Sequence, residues 1–192
     1  ALPFVVFIRI LRPFYLIRVG VIHNAPFGYF TFEPEYYLSK KVKRKTVSLD
    51  LFYFHSLKSV NRQWVKMVKR NIHVNLFVRY IYKVNNLFPG GEHHVVNIVD
   101  SGSRDTNNLF HDVNQQIKLL SDEELYAEES LKAFGFKKND KFVSIISRDS
   151  AYKDKINPKR SWSYHNYRDS DIDNYKDAAL QLADMGYFVF RI

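Results

Sequence analysis

An α/β protein built on parallel sheet is the fold that the sequence predicts. Three observations carry that expectation. Short apolar runs rich in β-branched and aromatic residues alternate with amphipathic stretches of helical period. Glycines stand where the helical patterns stop. The stretch from Lys141 to Ile192 reads strand, long loop, helix, strand, the order of a βαβ unit.

The elements follow in chain order. The opening ALPFVVFIRILRPFYLIRVG is strongly apolar but broken by Arg9, Arg12 and Arg18. A spanning helix needs about 20 nearly uncharged residues, so this is a poor candidate. Its charges are misplaced for a signal peptide, and no small-residue cleavage site follows. Residues 1–12 read either as a membrane-proximal interfacial helix or as a helix packed on the domain's own core. FYLIRV (Phe14 to Val19), ending at Gly20, reads as a buried strand, and TVSLDLFYF (Thr46 to Phe54) as a second. KKVKRK (Lys40 to Lys45) between them reads as a solvated link. SVNRQWVKMVKRN (Ser59 to Asn71) sets Val60, Trp64, Met67 and Val68 on one helical stripe, with Lys and Arg opposite. NLFPGGEHHVV (Asn86 to Val96) holds a Pro-Gly-Gly turn, and DSGSRDTNN (Asp100 to Asn108) is loop-like.

Further on, Ser121 with Glu124 forms a capping-box pattern ahead of Leu125, Leu131 and Phe134, and Gly135 stops that helix. KFVSIIS (Lys141 to Ser147) is the next strand. Ser170 is placed to cap another helix, with Asp171 and Asp173 in its first turn, where the dipole favours them. Gly186 ends it, and YFVFRI (Tyr187 to Ile192) is the last strand. One βαβ unit does not make a doubly wound sheet. The chain therefore reads as residues 1–137, an amino-terminal α/β domain, and residues 138–192, the start of a second one cut short.

Composition narrows the function classes. The chain has 192 residues, 46% of them hydrophobic, enough for a real core, and no cysteine. That excludes a disulfide scaffold and a thiolate zinc site. Ala1 to His94 carries fifteen Lys and Arg against four Asp and Glu, or +11, whereas the remainder carries fourteen against sixteen, or −2. The front half therefore attracts anions: nucleic acid, an anionic membrane or a phosphorylated substrate. No nucleic-acid-binding signature accompanies the charge, so nucleic acid is not an expected partner.

The most unusual segment runs from Ile146 to Tyr175. Arg148, Asp149 and Ser150 form a tripeptide that recurs as Arg168, Asp169 and Ser170, with Trp162, Tyr164, His165 and Tyr167 between. The first copy follows a strand end and the second precedes a helix. Ligands of open α/β sheets bind at such strand ends. Arg148 and Arg168 could offer forked donors to a diphosphate, and the rings could stack on a base or sugar. The bland alternative is that Asp169 and Ser170 cap a helix, Arg148 pairs with a neighbour, and the rings pack a long loop.

At these residues RDSAY, YHNYRDSDIDNY and GYFVFR resemble a family of bacterial glycosyltransferases linked to surface-carbohydrate synthesis. IRVG at Ile17, EYYL at Glu35, LDLFYF at Leu49 and PGGEHHVV at Pro89 are similar to that family's amino-terminal blocks. The resemblance spans roughly Phe14 to Ile192. It implies the GT-B type, with two Rossmann-like domains, an amino-terminal acceptor side and a carboxyl-terminal donor side, and it is distantly similar to fucosyltransferase-like enzymes. The activity implied is transfer of a sugar from a nucleotide-sugar to a glycan or lipid-linked acceptor, without metal or other cofactor. The location implied is the cytoplasm or the inner membrane surface. The donor-binding residues implied are Arg148, Asp149, Ser150, Tyr152, Tyr164, His165, Arg168, Asp169 and Ser170. Arg18, Gly20 and Gly28 fall on the acceptor side. One departure stands out: Pro26 and Tyr29 occupy positions where the family pattern has Arg and His.

Transfer of this kind needs a base near the acceptor hydroxyl and cations near the leaving phosphate. Glu35 ranks first as base because it lies in a family block, ahead of Glu33, Asp50 and His23. His93 and His94, beside the Pro-Gly-Gly turn, could approach a ligand, but no metal is assigned. A non-catalytic nucleotide- or carbohydrate-binding module and a peripheral membrane scaffold are the alternatives.

Overall fold

The computed structural model describes residues 1–44, 47–98, 104–137, 139–156 and 158–192, without the side chains of Tyr152, Lys153 and Ile156. The Tyr152 side chain, Lys45, Thr46 and residues 100–103 of the expected link, strand start and loop lie outside the described residues. The chain forms two compact units, Ala1–Leu119 and Leu120–Ile192.

The first unit is a three-layer α/β structure. Its elements run α1 (Leu2–Leu11), β1 (Leu16–Ile22), α2 (Phe27–Lys43), β2 (Ser48–Phe54), α3 (Arg62–Asn71), β3 (His73–Val74), α4 (Val78–Asn85), β4 (Val95–Val96) and α5 (Leu109–Asp112). The strands are all parallel, in the order β3-β2-β1-β4. This is compatible with a Rossmann-like fold. Side-chain alternation along the strands feeds two cores. Ile22 and Phe52 face α2 and α3, joining Phe30, Leu38, Met67 and Val68. Val19 and Tyr53 face the other way, joining Val5 of α1 and Val78 and Ile81 of α4.

Gly20 does not end β1, as its sequence suggested; the strand continues to Ile22. A Cβ there would lie 2.6 Å from the Phe52 ring and 3.2 Å from Val96, so glycine serves close packing between neighbouring strands. Helix α1 buries Val5 and Ile8 against the core while Leu2, Val6, Phe7 and Ile10 stay exposed. No helix among the described residues is long and apolar enough to cross a membrane.

Helix α2 runs through Pro34. A proline has no N–H, which leaves the carbonyl four residues back, that of Phe30, without its helical donor. The Trp64 indole fills the gap, donating from Nε1 to Phe30 O at 2.7 Å. One exception to helix chemistry thereby ties α3 to α2. Asn61 caps α3 by accepting the Trp64 N–H at 2.8 Å.

The second unit holds α6 (Ser121–Ala133), β5 (Phe142–Ile145), α7 (Ala151–Ile156), α8 (Lys176–Asp184) and β6 (Phe188–Arg191). Strands β5 and β6 pair in parallel, as the βαβ reading expected. Helix α6 belongs to this unit because Phe136, just past its end, packs its ring on Phe142 and Phe188 at 5.9 and 5.2 Å. Gly135 and Gly186 both take left-handed φ, at 86° and 84°. Each closes its helix with the paired return bonds of a Schellman turn, Phe136 N to Leu131 O and Tyr187 N to Leu182 O among them.

Two expected caps are displaced by one residue. Leu120 rather than Ser121 is the N-cap of α6, and its N–H donates to Glu123, because that carboxylate stands three residues on. Asp171 rather than Ser170 caps the following helical segment, a 3₁₀ turn at Ile172–Tyr175 that leads into α8, and accepts the Asp173 N–H at 3.0 Å.

Candidate functional site

In an open parallel sheet the ligand crevice lies at the carboxyl ends of the strands, where the order reverses. Here that point is β1, flanked by β2 on one side and β4 on the other. The first residue past β1 is His23. Ile22 is in register with Phe54, so His55, the first residue past β2, comes alongside, with the two imidazole centroids 5.3 Å apart.

His23 is held by Glu33 of α2. Its Nδ1 lies 2.8 Å from Glu33 Oε1, and its backbone N–H donates to Oε2 at 2.8 Å. The Glu33 side chain is 6% exposed and the His23 side chain 45%. A carboxylate on Nδ1 keeps the proton on that nitrogen and leaves Nε2 its lone pair. No hydrogen bond engages Nε2 among the described residues. A buried carboxylate orienting an exposed imidazole is the support a general base requires.

Beside this pair lies an aromatic hollow of about 690 Å³, lined by Gly28, Tyr29, Phe32, Glu35, Trp64 and Phe110 among others. Trp64 is fixed by its bond to Phe30 O, and Phe110 sits edge-on to Phe32 at 5.3 Å. The Tyr29 ring lies 6.3 Å from His23. Gly28 is in the first turn of α2, and a Cβ there would meet nothing within 4 Å. Its place is at the hollow, but nothing in the packing demands glycine.

Glu35 borders the hollow, yet both its oxygens are occupied. They accept the Gln116 N–H at 2.5 Å and the Ile117 N–H at 2.9 Å, which clamps that segment onto α2. Asp50 is not at the crevice. It is 4% exposed and accepts from Arg18 Nε at 2.7 Å, Arg18 Nη2 at 2.6 Å, the Tyr37 hydroxyl at 2.8 Å and Ser48 Oγ at 3.1 Å. Burial alone would raise its pKa, but the hydrogen bonds from Arg18 and Tyr37 outweigh it and hold the carboxyl below its ordinary range. Burial and the Asp50 charge together push the Tyr37 phenol above its ordinary range. Arg18 is therefore committed to the sheet interior, as Gly20 is to strand packing. His94, buried at 1% exposure, has Nδ1 2.7 Å from the Ile17 carbonyl and is likewise structural.

In the second unit the two Arg-Asp-Ser copies do meet. The Ser170 N–H donates to the Arg148 carbonyl at 2.9 Å, and Ser147 Oγ donates to the Ser170 carbonyl. Arg148 Nε faces Asp169 Oδ1 at 3.5 Å, an ion pair without a hydrogen bond, so its outer nitrogens engage no acceptor among the described residues. Asp149 accepts the Ala151 N–H at the start of α7. Arg168 donates to His165 Nδ1 and lies over the Tyr167 ring at 5.5 Å. The Tyr164 ring lies close to His165, with centroids 4.0 Å apart and the planes tilted by 39°. The adjoining hollow, about 360 Å³, is lined by Asp149, Asp169, Ser170, Asp171 and Arg191 among others. Its carboxylates are not arranged to hold a metal: no group of three or more His, Asp or Glu suited to a metal ion occurs among the described residues.

His23 with Glu33 is the pair that the sequence ranking placed behind Glu35. The spacing of ten residues across a strand-to-helix turn has no period that flags it. The usable signal was a histidine directly after a buried apolar run. In comparisons with protein-family models, curated proteins and solved structures, nothing matches the chain.

Proposed function

We propose that the protein is a GT-B-type glycosyltransferase that moves a sugar from a nucleotide-sugar donor to a hydroxyl of a glycan or lipid-linked acceptor in surface polysaccharide synthesis. The observation that carries this reading is the His23–Glu33 pair at the strand-order reversal of a parallel sheet. His23 Nε2 takes the proton of the acceptor hydroxyl. The acceptor oxygen bonds to the anomeric carbon as the bond from that carbon to the donor phosphate oxygen breaks. The electron pair leaves with the nucleoside diphosphate, and the second unit by itself offers Arg148 and Arg168 as donors suited to a diphosphate. Aromatic faces such as Tyr29, Phe32 and Trp64 suit the apolar faces of sugar rings. Glu35, a clamp on residues 116–117, gives way to His23 as the base.

A donor screen tests the reading. GDP-, UDP-, dTDP- or CMP-linked sugars are offered and melting is followed. One class is expected to raise Tm by a few degrees, about 2.7 kcal/mol at a hundredfold excess over Kd. Arg148→Ala and Arg168→Ala should each remove the shift. No shift with any donor counts against the reading.

A second, compatible reading rests on α1. Leu2, Val6 and Ile10 lie at four-residue spacing, and with Phe7 and Phe14 they are 48–87% exposed. Such a face beside Arg12 suits the surface of an anionic membrane. Co-sedimentation with anionic vesicles is expected, weakened by Phe7→Ser with Ile10→Ser. Equal recovery with neutral vesicles argues against it.

A further inference from the structure

A second opening on the same sheet edge differs from the aromatic hollow in chemistry. It has a volume of about 530 Å³ and is lined by Asn24, Phe54, Lys58, Ser59, Arg62 and Lys69 among others, with no acidic residue in its walls. Asn24 directly follows His23, and Phe54 ends β2, so this cleft shares the carboxyl edge on which the candidate base stands.

Its floor is preorganised. Asn24, 1% exposed, donates from Nδ2 to the Ser56 carbonyl at 2.9 Å and accepts the Ser56 N–H on Oδ1 at 2.8 Å. Its own carbonyl accepts from Ser59 Oγ at 3.3 Å and Val60 N at 3.4 Å. The loop that presents Lys58 is thus fixed by a buried side chain before any ligand arrives.

The cations have no anion of their own. Lys58, Arg62 and Lys69 form no ion pair among the described residues, and Lys69 lies 5.9 Å from the Phe54 ring centre. The four carboxylates of Ala1 to His94 are engaged elsewhere: Glu33 with His23, Glu35 with backbone N–H groups, Asp50 with Arg18, and Glu92 beside His93. Three positive charges converging on a preformed, carboxylate-free cleft call for an external anion.

We propose that this cleft binds a phosphate-class anionic group of the acceptor, placing the acceptor hydroxyl near His23; the assignment to the acceptor rests on the transferase reading, the anion site itself does not. The phosphate could belong to a lipid headgroup or to a soluble sugar phosphate.

Titration calorimetry of the intact protein with inorganic pyrophosphate tests the site. Lys58→Gln and Arg62→Gln, both exposed positions, should each weaken binding about tenfold, the scale of one charge-assisted hydrogen bond. The weakening by Lys58→Gln and Arg62→Gln should persist in an Arg148→Ala background, which separates the cleft from the donor loop, and Lys83→Gln, an exposed cation of α4 outside the cleft, should leave the affinity unchanged. Vesicles of phosphatidylcholine with and without phosphatidic acid form the second arm. Retention on phosphatidic acid that Lys58→Gln and Arg62→Gln abolish supports the site with a lipid source, and binding of pyrophosphate alone supports it with a soluble one. Absence of binding in both arms overturns the site, as does binding that Lys58→Gln and Arg62→Gln leave intact. Loss of transfer in His23→Gln alongside intact pyrophosphate binding keeps the two proposals distinguishable.

Discussion

Asp50→Ala is expected to destabilise the amino-terminal unit by about 3–5 kcal/mol, the cost of breaking a buried ion pair from one side. The carboxylate is 4% exposed and gathers Arg18, Tyr37 and Ser48. Its removal strands a guanidinium and a phenol that water barely reaches. Because Arg18 and Asp50 face each other in register across β1 and β2, the loss falls on the central strand pair. Urea unfolding followed by Trp64 fluorescence in a Trp162→Phe background measures it. A change under about 1 kcal/mol would mean the pair is solvated and peripheral.

The same group predicts a pH dependence. Asp50 has a folded pKa below its unfolded value. Its contribution is therefore full above the ordinary carboxylate range and is lost as pH falls through the folded pKa. Asp50→Asn should remove that part of the acid sensitivity while lowering stability at neutral pH.

His23→Gln is expected to lower the rate of transfer by about 10²–10⁴-fold, the usual worth of a positioned base. The side chain is 45% exposed, so melting should hardly change. Glu33→Gln should keep part of the activity, since an amide oxygen can still accept from Nδ1 but carries no charge to stabilise the imidazolium. Comparing kcat and KM places the effect: a base acts on kcat, whereas a residue that only lines the crevice acts on KM.

How much of this was legible depends on the residue. Gly135 and Gly186 were readable because a helix stop that needs a left-handed residue leaves a glycine behind. Gly20 was misread because glycine signals a turn and a close packing contact with the same letter, and only the Phe52 ring decides between them. Helix α2 was hidden by Pro34, whose defect is repaired by an indole thirty residues away in sequence. Strands β3 and β4 are two residues each, too short to show alternation. The paired Arg-Asp-Ser copies were visible as a repeat, and their meeting through Arg148 and Ser170 follows from the βαβ order. The Arg148–Asp169 pairing belongs to the bland alternative, and the carboxylate-rich hollow beside it was not anticipated. Glu35 ranked first because it matched a familiar block, while its bonds to the Gln116 and Ile117 N–H groups are contacts across some eighty residues that no local pattern shows.

The most direct measurement of sugar transfer is mass-spectrometric detection of nucleoside diphosphate formed from a panel of nucleotide sugars, in the presence of glycan and lipid-linked acceptors, with His23→Gln alongside. Expected is release from one donor class, dependent on acceptor and lost in the variant. Donors left intact by the wild-type protein, or consumed equally by His23→Gln, would contradict a transferase whose base is His23.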